Sequence, residues 1–193
     1  MMRRASFLRP VERVAVFIDG SNFYHAVKDQ RGSARVDFEY LVECLVDGRE
    51  LVRAYYYNAL PREGDVPEEQ YIQQRNFFES INRLPYFEVK LGYIDRGNQK
   101  GVDVQLVTDM ILGAVRDNYD TAVIVSGDGD FAIPAQAVKE MGKHVEHAFF
   151  SGWGKQLIRT ADRFIDISDF LRDPFAPHGQ PAPSEQEGYR GSR

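Results

Sequence analysis

Asp19, Asp128 and Asp130 stand where carboxylates can do chemistry. Asp19 closes the run Val-Phe-Ile-Asp and is followed by Gly20, Ser21 and Asn22. Asp128 and Asp130 belong to Ser-Gly-Asp-Gly-Asp-Phe, residues 126–131, directly after the apolar run Ala122–Val125. A carboxylate leaving the carboxyl end of a buried strand sits where open α/β sheets place their ligands. Helix capping is the plainer role for Asp19, but Ser21 and Asn22 lie closer to an expected first turn at Phe23 and make better caps. Gly127 and Gly129 are expected to take positive φ, so that the chain turns sharply and both acids leave one strand end. A turn with a cap needs one aspartate; two with paired glycines exceed that need. Pro134 fits only near a helix start. Amide dipoles there favour negative charge, from a carboxylate or a phosphate.

A third piece is Lys-Gly-Val-Asp-Val-Gln-Leu-Val-Thr-Asp-Met-Ile, residues 100–111. At about 100° per residue, Leu106, Val107, Met110, Ile111 and Ala114 form one apolar stripe of a helix. Asp103 falls near the centre of that stripe at its amino end. A carboxylate aimed at a core is costly unless paired. At the helix start it can emerge instead at the rim of a sheet, beside Asp19 and Asp128. Asp109 lies about a third of a turn away, outside the stripe, and reads as structural or solvated.

Four carboxylates, Asp19, Asp103, Asp128 and Asp130, are therefore expected to converge on one sheet end. Like charges at short range raise one another's pKa unless a cation joins them. All-oxygen ligands of this kind suit Mg²⁺ or Mn²⁺ rather than Zn²⁺. Such a metal can bind a phosphate oxygen and lower the pKa of a bound water for in-line attack on phosphorus. No histidine pattern competes. His144 and His147, three apart in or beside a strand, should face opposite sides. His25 reads as packing, and His178 lies in the tail. Cys44 is the only cysteine and reads as a small buried hydrophobe. The P-loop pattern is absent. A haloacid-dehalogenase-type phosphatase wants a second aspartate where Ser21 stands, and an adhesion-type metal site wants a serine where Phe23 stands.

Elements must carry these residues to one place. Strand-like runs are Arg13–Ile18, Leu51–Tyr57, Phe87–Tyr93, Thr121–Ser126, Val145–Phe149 and Phe164–Ile167. Helix-like runs are Phe23–Gln30, Tyr40–Val46, Glu68–Asn82, Val102–Arg116, Phe131–Met141 and Trp153–Ala161. The alternation predicts an α/β fold with a largely parallel sheet covered by helices on both faces. Val14–Ile18 and Ala122–Val125 are apolar throughout, as central strands buried on both faces are.

The chain of 193 residues suits one domain over 13–172, with an N-terminal arm, 1–12, and a disordered tail, 173–193. The tail has four prolines and three glycines. The apolar length after the first arginines is too short for a signal peptide, and no run spans a membrane, so the expected location is cytoplasmic. The net charge of −5 argues against holding nucleic acid by bulk positive charge. It does not exclude a nuclease, because clustered carboxylates lower the formal charge and a metal inverts the local sign.

Val-Phe-Ile-Asp-Gly-Ser-Asn-Phe-Tyr (16–24 is its core span), Lys-Gly-Val-Asp-Val-Gln-Leu-Val-Thr-Asp, Ser-Gly-Asp-Gly-Asp-Phe and the late Leu-Ile-Arg-Thr-Ala-Asp-Arg-Phe-Ile-Asp-Ile resemble the NYN domains, and within them the LabA-like branch. NYN domains belong with the PIN-like nucleases. The resemblance spans about residues 13–170, with four motifs in the family's order. It implies a three-layer α/β/α sandwich of PIN-like, Rossmann-like type and a metal-dependent ribonuclease site. Asp19 would be the first-strand metal ligand, Asp103 the acid of the central helix, and Asp128 and Asp130 the acids after the fourth strand. Asn22 and Ser126 would orient ligands or the attacking water. Lys100 would contact phosphate. The family chemistry would leave a 5′-phosphate and a 3′-hydroxyl on RNA, expected to be single-stranded. A non-catalytic RNA-binding or regulatory protein of the same fold is the alternative, and a homo-oligomer is left open. An RNA path would use Lys90, Arg96, Lys100, Lys143, Lys155 and Arg159, with Tyr93, Phe150 and above all Trp153 stacking on bases.

Overall fold

The computed structural model describes residues 11–95 and 98–175. The expected arm up to residue 10, the tail from residue 176 with His178, and Arg96 lie outside them. In chain order the elements are β1 (Arg13–Asp19), α1 (Gly20–Arg31), α2 (Phe38–Val46), β2 (Glu50–Leu60), α3 (Glu68–Asn82), β3 (Phe87–Asp95) and β4 (Asn98–Lys100). There follow α4 (Val102–Val115), β5 (Thr121–Val125), α5 (Ala132–Glu140), β6 (His144–Phe149), α6 (Lys155–Thr160) and β7 (Arg163–Asp166). Short 3₁₀ turns occupy Gly129–Phe131 and Ser168–Phe170.

The strands form one sheet in the order β4-β3-β2-β1-β5-β6-β7. All neighbouring pairs are parallel except β3 with β4, an antiparallel hairpin strand that the sequence pattern did not reveal. β1 and β5 lie at the centre and are buried along almost their whole length. Alternation along them feeds two cores. Val14, Val16, Ile18, Val123 and Val125 join Phe23, Leu41, Tyr56 and Phe78 on the face covered by α1, α2 and α3. Ala15, Phe17, Ala122 and Ile124 join Leu106, Met110, Phe131 and Leu157 on the face covered by α4, α5 and α6. Each face of a parallel sheet needs such a cover, and the result is the expected α/β/α sandwich.

The chain proceeds from β1 to β2 and β3 in one direction, then returns through α4 to β5 on the other side of β1. The order reverses between β1 and β5. At such a switch point, loops from adjacent parallel strands leave in opposite directions and open a crevice at the strands' carboxyl ends. Asp19 ends β1 there, and Ser126 follows β5.

The amino-terminal rim of the same strands is charge-compensated. Arg13 bonds Asp120 at 2.7 Å and Asp117 at 3.2 Å, and Lys143 also pairs with Asp117. Arg49 bonds Glu146 at 2.8 Å and Glu12 at 3.2 Å. Glu12, the last residue of the expected arm, thus belongs to the folded body. The end of the expected domain and the start of the expected tail are also engaged: Arg172 lies 3.4 Å over the Tyr40 ring, and Arg35 lies 5.6 Å over the ring of Phe175, a tail residue. Cys44 is half-buried rather than fully buried.

Candidate functional site

The switch point is built by two similar turns. Asp19 ends β1 and is itself the N-cap of α1, its Oδ1 accepting the Asn22 N–H at 3.1 Å. This differs from the expected cap at Ser21 or Asn22. The helix starts at Gly20, directly after the Asp19 cap, and Gly20 lies against the Tyr56 ring; a Cβ there would come within 2.4 Å of Tyr56 Cζ. Asp128 repeats the arrangement after β5, its Oδ1 accepting the Asp130 N–H at 2.9 Å. Capping and clustering are therefore not alternatives here, since each carboxylate caps with one oxygen.

Ser126 ties the turns together. Its fully buried hydroxyl donates to Asp19 Oδ2 at 3.0 Å and accepts the Asp128 N–H at 3.1 Å. Asn22 makes a second tie: its Oδ1 accepts the Gly127 N–H at 2.8 Å. His147 supports Ser126 from behind, with Nε2–H donating to the Ser126 carbonyl at 2.8 Å. Burial holds its pKa below the usual histidine range, so the ring is neutral with its proton on Nε2. The sequence placed His144 and His147 on opposite sides, which is what β6 does: His144 is exposed near Asp162 and His147 is buried. The supporting role of His147 was not legible, because it depends on which carbonyl the neighbouring strand presents.

Gly127 is required for space rather than for positive φ. Neither Gly127 nor Gly129 has positive φ, contrary to expectation. A Cβ on Gly127 would come within 2.5 Å of Phe149 Cε1 and 3.1 Å of the Trp153 ring. The turn is thus packed against the end of β6.

Asp103 lies in the first turn of α4 and is exposed, with Val102, Leu106, Met110 and Ala114 buried beneath it. The helix therefore delivers it to the rim. Asp19 is buried, and its pKa is pushed up to about 6 by desolvation and by the charges of Asp103 and Asp128, against the hydrogen bonds from Asn22 and Ser126. The Asp103 pKa is also raised, by desolvation on its packed side and by Asp128 and Asp130. Among the described residues none of the four acids forms an ion pair with lysine, arginine or histidine. Nor, among the described residues, are three acidic, histidine or cysteine side chains gathered tightly enough to enclose an ion by themselves. The site is an open set of carboxylates in mutual repulsion, not a closed cage.

Asp109 stands apart, accepting the Tyr57 hydroxyl at 3.1 Å. Of the expected RNA contacts, Lys100 is exposed at the end of β4, just ahead of α4. Trp153 is 38% exposed and lies edge-on to Phe149 beside the Gly127 turn, outside α6. Tyr93, Lys155 and Arg159 are exposed. Three expectations need correction. Phe150 is buried and cannot stack on a base. Lys143 is held by Asp117 at the opposite rim. Lys90 is paired with Glu88 at 2.6 Å. His25, expected to pack, does so edge-on against Tyr24 at an exposed position.

Among the described residues no helix is long and apolar enough to cross a membrane. A solved structure, that of VPA0982, a protein of unknown function from Vibrio parahaemolyticus, superposes with a TM-score of 0.66 at 28% identity. The match covers 83% of this chain and 96% of that one. Low amplitude and bright protein LabA of Synechococcus elongatus is 27% identical over 169 residues, covering 81% of this chain and 84% of LabA. The NYN-domain profile matches residues 13–168, which include every strand of the sheet and all four acids, and the chain belongs to the NYN domain family.

Proposed function

We propose that this chain is a ribonuclease that hydrolyses RNA phosphodiester bonds with a divalent cation held by Asp19, Asp103, Asp128 and Asp130. The observation that carries the reading is the uncompensated charge: four acids act on one another at the switch point without an ion-paired cation among the described residues. A hard cation suits this oxygen-only set. Mg²⁺ in particular takes only one or two carboxylates and leaves its other positions to water and substrate phosphate, which fits an open site. When bound, Mg²⁺ or Mn²⁺ would polarise a phosphate oxygen and lower the pKa of an attacking water.

The chain's own residues supply placement. Asn22 and Ser126 hold the two acid-bearing turns in register, so that Asp19 and Asp128 keep a fixed separation. The hydroxyl of Ser126 is committed on both sides, which orients the Asp19 carboxylate. Lys100 adds a positive charge ahead of Asp103 for a phosphate, and Trp153 offers a ring face beside the turn for a base. The products would carry a 5′-phosphate and a 3′-hydroxyl.

The open arrangement of the acids among the described residues also fits a second reading, in which the same rim binds RNA without cutting it. One assay separates the two: turnover of end-labelled single-stranded RNA with Mn²⁺, with Asp128→Asn beside the wild type. Metal-dependent cleavage lost in the variant supports the nuclease. RNA binding with no cleavage by either protein supports the second reading.

A further inference from the structure

A cleft of about 1140 Å³ runs beside the acidic rim on the face covered by α1, α2 and α3. Ser21, two residues after Asp19, and the buried Tyr56 form the wall nearest the rim. The Tyr56 hydroxyl donates to the carbonyl of Gly20, the residue after Asp19, at 3.4 Å, and accepts from the Asn58 amide at 3.5 Å. Ser21, Asn58 and Ala59 line the near end, next to the carboxyl ends of β1 and β2.

The walls mix rings and amides. From α3 come Gln70, Gln73, Gln74 and Phe77, whose spacing of three and four places them on one helix face. From α1 come Tyr24, which is 43% exposed, and Lys28, whose ammonium lies 5.8 Å over the Tyr24 ring. Phe77 is 39% exposed although it packs against Tyr56 and Phe38. Gln74 Oε1 is buried with no hydrogen-bond partner. A buried acceptor without a donor is costly, so the half-buried Gln74 carboxamide gains by rotating towards the cleft it lines, where its oxygen can accept a ligand N–H. Neither Lys28 nor Arg35, also on the wall, forms an ion pair among the described residues.

We propose that this cleft is the subsite for unpaired nucleotides flanking the bond to be cut, with a base stacked on Tyr24 and Phe77 and its edge read by Gln74. The assignment rests on the ribonuclease reading. Single-stranded RNA is recognised by stacking on rings and by hydrogen bonds to base edges, and the cleft offers both within reach of the rim. Two cations without ion pairs among the described residues, Lys28 over the Tyr24 ring and Arg35 over the Phe175 ring, suit the intervening phosphates, and a chain of net charge −5 would otherwise repel an RNA strand. A duplex does not fit the assignment, because its bases are stacked and paired already.

The test uses the full chain with fluorescein-labelled oligouridylate, measuring Kd with Ca²⁺ and steady-state cleavage with Mn²⁺. Tyr24→Ala and Gln74→Leu are the variants, both checked for unchanged melting. Each is expected to raise Kd and KM about tenfold, the scale of losing one stacked or hydrogen-bonded base, while kcat stays within about twofold. An abasic ribose beside the cut should weaken the wild type by a similar factor and Tyr24→Ala no further. Cross-links from 4-thiouridine should map to peptides of α1 and α3. If the wild type cleaves RNA but the variants match it and the cross-links fall elsewhere, the cleft is not the subsite and the nuclease stands. If the wild type neither binds nor cleaves RNA, both readings fall.

Discussion

Asn22, in the first turn of α1, reaches across the switch point to accept the Gly127 N–H at 2.8 Å. The bond joins residues 105 apart in sequence and spans the two acid-bearing turns. Asn22→Ala should leave the Gly127 N–H to water and let the turn after β5 shift. We expect a stability loss of about 1 kcal/mol, the usual scale for a partly buried hydrogen bond. Cleavage should fall by about tenfold or more, since misplacement by about 1 Å costs on the order of a hundredfold. Thermal melting and single-turnover kinetics read the two effects separately.

Asp19→Asn and Asp128→Asn should each abolish metal-dependent cleavage, a loss on the order of a hundredfold or greater. The fold should survive. For Asp19 the metal-free variant should melt a few degrees higher at pH 8, because a buried carboxylate with a pKa of about 6 costs roughly 3 kcal/mol when ionised, part of which the amide recovers. Calorimetry with a chelator present checks it. A melting point below that of the wild type would show that the Asp19 charge is compensated.

The pH dependence follows in sign. Asp19 binds its proton more tightly folded than unfolded, so its contribution to stability is fully present below about pH 4. It is lost as pH rises through about 6. Asp103 acts in the same direction. Metal affinity must run the other way, rising up to about pH 6 as Asp19 gives up its proton. Asp120, held near a pKa of about 2 by Arg13, contributes stability that is lost only in stronger acid. The difference in melting temperature between wild type and Asp19→Asn, scanned from about pH 4 to 7 without metal, isolates the Asp19 part. A flat difference would remove the basis for the raised pKa.

Asp103 and Asp109 share α4 and give an internal contrast. Asp103→Asn should cost cleavage as severely as the strand-end acids. Asp109→Asn should change cleavage by less than about threefold and stability by about 1 kcal/mol, since its partner is the Tyr57 hydroxyl. Equal losses in the two would mean that Asp109, not the helix start, faces the metal.

The strand-end acids were legible because local chain rules place them: an all-apolar run followed by aspartate and small residues is a buried strand reaching a rim. Asp103 stands exposed at the helix start and Asp109 turns to Tyr57 because helical phase is also local. What failed was whatever a distant neighbour decides. Position 20 must be glycine because Tyr56, from β2, occupies the space that a side chain there would take, and α1 starts at that glycine, three residues before the expected Phe23. Gly127 is small for the sake of Phe149, from β6. Phe150 turned inward and Lys143 went to Asp117 for the same kind of reason. The cleft under α3 escaped notice because the spacing of Gln70, Gln74 and Phe77 reads as an ordinary solvated helix face until β2 is placed beneath it.

The six parallel strands run between two rims of opposite character. At the beginning of the strands, acids and bases meet in matched couples, as with Arg49 and Glu146. At their finish, the four acids of the switch point have no cationic partner among the described residues. Under the proposed ribonuclease reading the two rims answer to different pressures: drift around Arg49 would register in how hot the protein can run, whereas drift around Asp128 would register chiefly in how fast it works.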